Sequence, residues 1–170
     1  MPTVYFAHGK ESGPWGHKIR ALADVAARRG VAVESVDYRF TLDPDERVRH
    51  LLGLDLPRGE ELILAGSSMG GYVAACASRH LAPRGLYLLA PAVDMPGYDG
   101  DTTPGGQLTE VVHGWRDPVI PVERAIAWSR RHRARLHLLD SGHTLQDALP
   151  WLCRAFDRFL EELLVAPEGD

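Results

Sequence analysis

Short apolar runs alternate along the chain with longer segments in which apolar residues recur every three or four positions. The short runs predict β-strands, and they lie at residues 3–7, 31–38, 61–65, 85–90, 108–112 and 134–139. The longer segments predict α-helices, and they lie at residues 15–29, 43–54, 69–80, 122–132 and 146–164. This alternation predicts a doubly wound α/β fold, with a mostly parallel sheet of about six strands and helices on both faces.

The segment 94–107 is the exception, because it joins two predicted strands without a helical pattern. It contains two prolines, four glycines and three aspartates, so it would bury little apolar area. We therefore predict a mobile surface loop here. In doubly wound sheets the ligand crevice lies at the carboxyl ends of the strands, and we expect the loop to pass over that crevice.

Composition favours one domain and argues against several classes of partner. The 170 residues, 45% of them hydrophobic, suit a single domain over residues 1–170. The net charge of −4 shows no clustering of either sign, so we expect neither nucleic acid nor a membrane as a partner. Residues 166–170 are expected to form a short frayed end.

The sequence also favours a cytoplasmic location. No apolar run reaches the roughly 18 residues of a membrane helix, and the first strand is not preceded by a secretory leader pattern. Cys76 and Cys153 lie in predicted helices without metal-ligand spacing, so we expect two buried free thiols and no metal site.

The pentapeptide Gly66-Ser67-Ser68-Met69-Gly70 lies between a predicted strand and a predicted helix. It has the form G-x-S-x-G, in which the central serine sits on a sharp turn that exposes its hydroxyl at the carboxyl edge of the sheet. Such a pentapeptide also arises by chance, but the apolar strand before it and the proline-free helix after it match this turn. Ser68 is therefore the candidate nucleophile.

An attacking serine needs a base to take its proton and a carboxylate to orient that base. His143 directly follows the last predicted strand and is the candidate base. Asp117 follows the fifth strand and is the candidate acid, although an aspartate there could instead cap the next helix. Asp94 is the alternative acid. The chain order Ser, Asp, His is that of one hydrolase fold.

Two backbone N–H groups are needed to hold the oxyanion of a tetrahedral intermediate. Met69, the residue after the serine, is expected to supply one of them. Lys10 is expected to supply the other, because Gly9 lets the chain curl after the first strand and His8 can anchor the turn to nearby backbone. The alternative is that residues 9–10 form an ordinary exposed turn.

Four short motifs together resemble the α/β-hydrolase superfamily over nearly the whole chain. They are His8-Gly9, the serine pentapeptide, His113-Gly114 followed by Asp117 and Pro121, and Gly142-His143. The length, and the direct link between strands after Asp94, more narrowly resemble the small lidless serine hydrolases, such as the YqiA-like esterases and the retinoblastoma-binding protein 9 group. The usual first two strands of the superfamily are absent from the pattern.

This resemblance implies a minimal α/β-hydrolase fold without a cap domain. It also implies Ser68 as nucleophile, His143 as base and then acid, Asp117 as orienting acid, and Lys10 and Met69 as oxyanion donors. Many relatives carry an apolar or aromatic residue after the His-Gly pair, where this chain has the charged Lys10 and Glu11.

We therefore predict a serine hydrolase that needs no cofactor and cleaves a small carboxylic ester or thioester through an acyl-enzyme intermediate. Its partner would be a small acyl substrate with a short acyl chain, and the candidate wall residues are Trp15, Met69, Met95 and Tyr98. An amidase or peptidase would use the same three side chains. A module that binds a protein partner on the same fold is the alternative from another class. The oligomeric state is not predicted.

Overall fold

Six β-strands and five α-helices alternate along residues 1–165, the part of the chain that the computed structural model describes. The strands are β1 (Thr3–Ala7), β2 (Ala32–Val36), β3 (Leu62–Ser67), β4 (Gly85–Leu89), β5 (Leu108–Gly114) and β6 (Arg135–Leu139). The helices are α1 (His17–Arg28), α2 (Pro44–Leu52), α3 (Met69–Leu81), α4 (Val122–His132) and α5 (Leu149–Leu164). The predicted frayed end at 166–170 lies outside the described residues.

The strands form one sheet in the order β2-β1-β3-β4-β5-β6, and all of the neighbouring pairs are parallel. The chain runs from β1 outward to β2 and then returns to place β3 on the other side of β1. The strand order therefore reverses between β1 and β3. In open α/β sheets such a reversal opens a crevice at the carboxyl ends of the two strands, which here are followed by His8 and Ser68.

Helices cover both faces of the sheet because the side chains of a strand alternate between the two faces. In β3, Ile63 and Ala65 pack in the core with α1 and α5, whereas Leu62 and Leu64 pack in the core with α2, α3 and α4. The central β4 is buried at every residue, as expected for a strand covered on both faces. The predicted α/β-hydrolase fold class is confirmed, and no cap domain covers the sheet within residues 1–165.

Most element boundaries differ from the prediction by one to three residues, and two of these differences have a clear local reason. β2 ends at Val36 rather than at residue 38, because the Tyr38 N–H donates to the His8 ring instead of to a neighbouring strand. α5 begins at Leu149 rather than at residue 146, because residues 146–148 form a single 3-10 turn. Cys76 is buried as predicted, but Cys153 is only half-buried, because it lies beside the apolar stripe of α5 and not within it.

Residues 94–107 form the long link between β4 and β5, as predicted, and their backbone is tied to the helices beneath. The Gly100 N–H donates to the Tyr72 hydroxyl at 2.7 Å, and the Gly105 N–H donates to the Ser78 hydroxyl at 3.0 Å. The indole of Trp128 donates to the buried Thr102 hydroxyl at 2.9 Å. Hydrogen bonds thus tie this segment to α3 and α4.

Candidate active site

The turn that carries Ser68 joins β3 to α3 and depends on close backbone contact. A Cβ added to Gly66 would lie 2.1 Å from the Gly70 carbonyl oxygen, and a Cβ added to Gly70 would lie 1.9 Å from the Ala7 carbonyl oxygen. Ser68 itself has φ 55° and ψ −118°, a conformation that residues with a side chain rarely adopt. The strained turn holds the Ser68 side chain at the carboxyl edge of the sheet, between β1 and β4.

Ser68 lies within hydrogen-bond distance of His143, which in turn contacts Asp117. The Ser68 Oγ is 3.0 Å from His143 Nε2, and His143 Nδ1 is 2.7 Å from Asp117 Oδ2. An ionised carboxylate only accepts hydrogen bonds, so the imidazole proton belongs on Nδ1. Nε2 then carries no proton and can accept the serine hydroxyl. This is the tautomer that a general base requires.

The Asp117 carboxylate is completely buried, and hydrogen-bond donors surround it. Its Oδ1 accepts the N–H groups of Val119 and Ile120, each at 2.8 Å, while Oδ2 accepts from His143. Because α4 begins only at Val122, Asp117 shapes the turn before the helix rather than capping it. These donors offset the cost of burying the charge and fix the direction of the carboxylate.

Asp94, the alternative acid, is paired with a side chain of α4 instead of with His143. Its carboxylate forms an ion pair with Arg131 of α4, at 2.8 Å from Oδ2. The structure therefore brings Asp117, and not Asp94, to His143.

His113 also belongs to this part of the site, although the sequence did not assign it a role. Its Nε2 donates to the Ile120 carbonyl at 2.8 Å and lies 3.3 Å from Asp117 Oδ2. Burial lowers the pKa of this imidazole, which favours the neutral ring. His113 thus supports the turn that presents Asp117. In the sequence it is marked by its place in the motif that contains Asp117, four residues before that aspartate.

The loop after β1 lies beside the serine. A Cβ added to Gly9 would be 3.7 Å from the Ser68 Cβ. His8 anchors this loop, because its Nδ1 donates to the Gly9 carbonyl at 2.8 Å and its Nε2 accepts the Tyr38 N–H at 2.9 Å. Burial lowers the pKa of His8, in keeping with a neutral ring that accepts at one nitrogen.

A cavity of about 600 Å³ opens at the Ser68 side chain. Met95 and Tyr98 line it, as the sequence suggested, together with Ile120 and Val119. Trp15 and Met69 are not among the lining residues. The Trp15 side chain is exposed, and residues 16–19 at the start of α1 line the cavity instead. Met69 is buried at the start of α3.

Lys18 is a cavity residue that the sequence did not single out. Its ammonium donates to the Thr144 carbonyl, next to His143, at 3.0 Å. Burial lowers the pKa of Lys18 to about 8, although the negative charge of Asp117 acts in the opposite direction. No sequence pattern marks this contact, because the two residues are 126 positions apart.

Neither a metal site nor a membrane-spanning helix is found in the described part of the chain. Within residues 1–165 no cluster of three or more histidine, cysteine, aspartate or glutamate side chains is arranged to hold a metal ion. None of the helices in these residues combines the length and the apolar character needed to span a bilayer.

Comparison with known proteins shows which family the chain belongs to. Residues 3–97 match the profile of UPF0227, an uncharacterised protein family. A proposed hydrolase of the alpha/beta superfamily from Xanthomonas campestris pv. campestris is 34% identical, with a TM-score of 0.82 over 95% of this chain and 98% of that chain. No curated protein has a significantly similar sequence. The chain therefore belongs to the UPF0227 family, and the predicted relationship to YqiA-like α/β-hydrolases is confirmed.

More distant structures share the fold alone. Est1E from Butyrivibrio proteoclasticus has a TM-score of 0.72 at 18% identity, over 96% of this chain and 88% of that chain. A Xanthomonas campestris protein described as an α/β serine hydrolase without lid has a TM-score of 0.65 at 22% identity, over 96% of this chain and 83% of that chain. The same fold is thus common to all three structures.

Proposed function

We propose that this UPF0227 protein is a serine hydrolase that cleaves small carboxylic esters or thioesters through an acyl-enzyme formed on Ser68. The observation that carries the proposal is the unbroken hydrogen-bond chain from the Ser68 hydroxyl through His143 to the buried Asp117 carboxylate. The 34% identical relative from Xanthomonas campestris, itself described as a proposed hydrolase, supports the same reaction class.

In the first half-reaction the Ser68 Oγ attacks the carbonyl carbon of the substrate while His143 Nε2 takes the hydroxyl proton. Asp117 stabilises the imidazolium that forms, and the N–H groups of Met69 and Lys10 receive the oxyanion. Met69 is suited to this role because it is the first residue of α3, so no carbonyl of its own helix can accept its N–H. When the tetrahedral intermediate collapses, the imidazolium protonates the departing alcohol or thiol.

Water completes the cycle. His143 takes a proton from a water molecule, whose oxygen attacks the acyl carbon, and then returns a proton to the Ser68 Oγ as the acid product leaves. The same side chains therefore act in both half-reactions, and the proposed reaction needs no cofactor.

The volume and the lining of the cavity favour a small substrate. Its volume is about 600 Å³, and Met95, Tyr98 and Ile120 provide apolar surface beside the serine for an acyl group. Residues of the loop after β1, including Lys10 and Glu11, also line the cavity and add polar groups to it. We therefore propose short acyl chains, with the leaving group reaching toward solvent.

Labelling with a fluorophosphonate probe tests the proposal, because this reagent modifies serines that are activated as nucleophiles. We expect one adduct on Ser68 by intact mass and peptide mapping, and no adduct in the Ser68→Ala and His143→Ala variants. Turnover of short esters in Ser68→Ala should fall on the order of 10⁶-fold. A folded wild-type protein that stays unlabelled, or a Ser68→Ala variant that stays active, would contradict the proposal.

A panel of matched substrates then defines the bond that is cleaved. Acetyl and butyryl esters, thioesters and amides with the same leaving-group scaffold should be compared by kcat/KM. We expect the ester and thioester to be hydrolysed faster than the amide, and the opposite order would favour an amidase that uses the same side chains.

A further inference from the structure

Arg47 of α2 is completely buried, and its hydrogen-bond acceptors within residues 1–165 are all backbone carbonyls. Its Nη1 donates to the carbonyls of His8 and Gly9 at 3.3 and 3.1 Å, and its Nη2 donates to the carbonyl of Lys10 at 3.2 Å. Its Nε donates to the Thr41 carbonyl at 2.9 Å. One guanidinium thus binds three successive carbonyls of the loop after β1.

Burying the positive charge of Arg47 in this way costs free energy. A buried charge is normally paired with an opposite charge, whereas Arg47 has neutral carbonyls and the face of the Tyr38 ring, 5.7 Å from its Cζ. Burial lowers the pKa of Arg47, but a guanidinium keeps its proton inside proteins. The positive charge is therefore present behind the loop, and planar forked donors hold the loop more tightly than an ammonium could.

The orientation of the carbonyls determines where the N–H groups point. In a trans peptide the carbonyl of one residue and the N–H of the next point in opposite directions. The Gly9 carbonyl is held by Arg47 and also by His8 Nδ1, so the Lys10 N–H must point away from Arg47. Residues 8–11 line the cavity and Arg47 does not, which places the loop between the guanidinium and the cavity.

We propose that Arg47 is a positioning residue, which turns the Lys10 N–H toward the oxyanion of the tetrahedral intermediate by holding the carbonyls on the far side of the loop. The inference rests on the proposed function, since an oxyanion forms only if Ser68 attacks a substrate. Arg47 acts through the backbone and does not touch the substrate. Its positive charge also polarises these peptide groups, which strengthens the N–H as a donor.

The Arg47→Lys variant tests this role, because lysine keeps the charge but cannot span three carbonyls. With para-nitrophenyl acetate we expect kcat to fall about 10- to 100-fold while KM changes less than about threefold, as when an oxyanion donor is misplaced. The matched control is Arg49→Lys, an exposed arginine on the same helix, whose kinetics should equal those of wild type.

A pair of inhibitors separates oxyanion positioning from general loosening of the site. A short alkyl trifluoromethyl ketone forms a tetrahedral oxyanion on the serine, whereas the corresponding carboxylic acid binds without forming one. In Arg47→Lys the Ki of the ketone should rise by the same factor as kcat/KM falls, and the Ki of the acid should change less than about threefold. Equal weakening of both inhibitors would overturn the proposal in favour of a merely structural arginine.

Folding and loop order are measured on the same samples. Thermal unfolding shows whether Arg47→Lys folds. If it does not, Arg47→Gln, which keeps a donor amide but cannot reach three carbonyls, takes its place, and an unchanged kcat in that variant would overturn the proposal. Hydrogen exchange of the peptide that contains Lys10 should be faster in either variant, independently of turnover.

The outcomes separate this inference from the proposed function. If wild type hydrolyses the ester and Arg47→Lys does so equally well, the role of Arg47 fails and the proposed function stands. If wild type neither takes the fluorophosphonate probe nor hydrolyses any ester, the proposed function fails, and the oxyanion role fails with it.

Discussion

The serine and the groups that would activate it are held by different physical means. In the turn at residues 66–71, called here the elbow, backbone atoms approach so closely that a Cβ on Gly70 would lie 1.9 Å from the Ala7 carbonyl oxygen. On the other side of the site, called here the acid–base side and formed by residues 117–120 and 141–144, hydrogen bonds set the geometry. There the buried Asp117 carboxylate accepts from Val119, Ile120 and His143.

The difference indicates how each region responds to substitution. At the elbow excluded volume sets the position of the chain, and a larger side chain has nowhere to go. On the acid–base side the fold needs an acceptor at Asp117 Oδ1, while the proposed reaction needs an acceptor at Oδ2. Substitutions at the elbow should therefore reduce stability first, whereas substitutions on the acid–base side should reduce activity first.

Among the changes that test this contrast, the largest effect is expected for Asp117→Asn. An asparagine can still accept the N–H groups of Val119 and Ile120 through its oxygen, but it offers an N–H to His143 and so favours the wrong imidazole tautomer. We expect kcat to fall about 10⁴-fold, which corresponds to about 5 kcal/mol of transition-state stabilisation. Steady-state kinetics on a short ester and thermal unfolding of the same sample measure the two effects.

Asp94→Asn is the matched control for this change. Its carboxylate is paired with Arg131 and makes no contact with His143, so kcat should stay within about threefold of wild type. If both variants lose activity equally, or if Asp117→Asn unfolds, the contrast between the two regions does not hold.

The next largest effect is expected for Gly70→Ala at the elbow. The added Cβ would collide with the backbone of Ala7 and His8 rather than with a flexible side chain. We expect a loss of about 3–5 kcal/mol in the free energy of unfolding, measured in urea. Gly142→Ala is the control on the acid–base side, since no atom lies within 4 Å of its added Cβ. Similar stabilities for the two variants would contradict steric control of the elbow.

A smaller effect on stability is expected at Ser68, where it tests whether the backbone of the elbow is strained. Both Ser68→Gly and Ser68→Ala lack the proposed nucleophile, but only glycine adopts φ 55° without strain. We expect Ser68→Gly to be more stable than Ser68→Ala by about 1 kcal/mol, which is a difference of about 2–4 °C in Tm for a chain of this size. A Tm for the alanine variant that equals or exceeds that of the glycine variant would show that the elbow stores no strain.

The sequence predicted the parts of the site that local patterns encode. The elbow is recognisable because its glycines and serine are adjacent in the chain, and His143 because it follows a strand after a glycine. The wall residues were harder to predict. Met95 and Tyr98 reach the cavity and Trp15 does not, since the direction of a surface side chain depends on the packing of neighbouring turns.

By itself the sequence determined the succession of strands and helices, the α/β class and the serine turn, because hydrophobic periodicity and backbone sterics act over a few residues. Only the tertiary structure decided the strand order, the choice of Asp117 over Asp94, and the places of Arg47, Lys18 and His113. These depend on contacts between residues far apart in the chain, such as the 38 positions between Arg47 and Gly9 and the 126 between Lys18 and Thr144. Such contacts form only once the strands are side by side, so no local pattern in the chain specifies them.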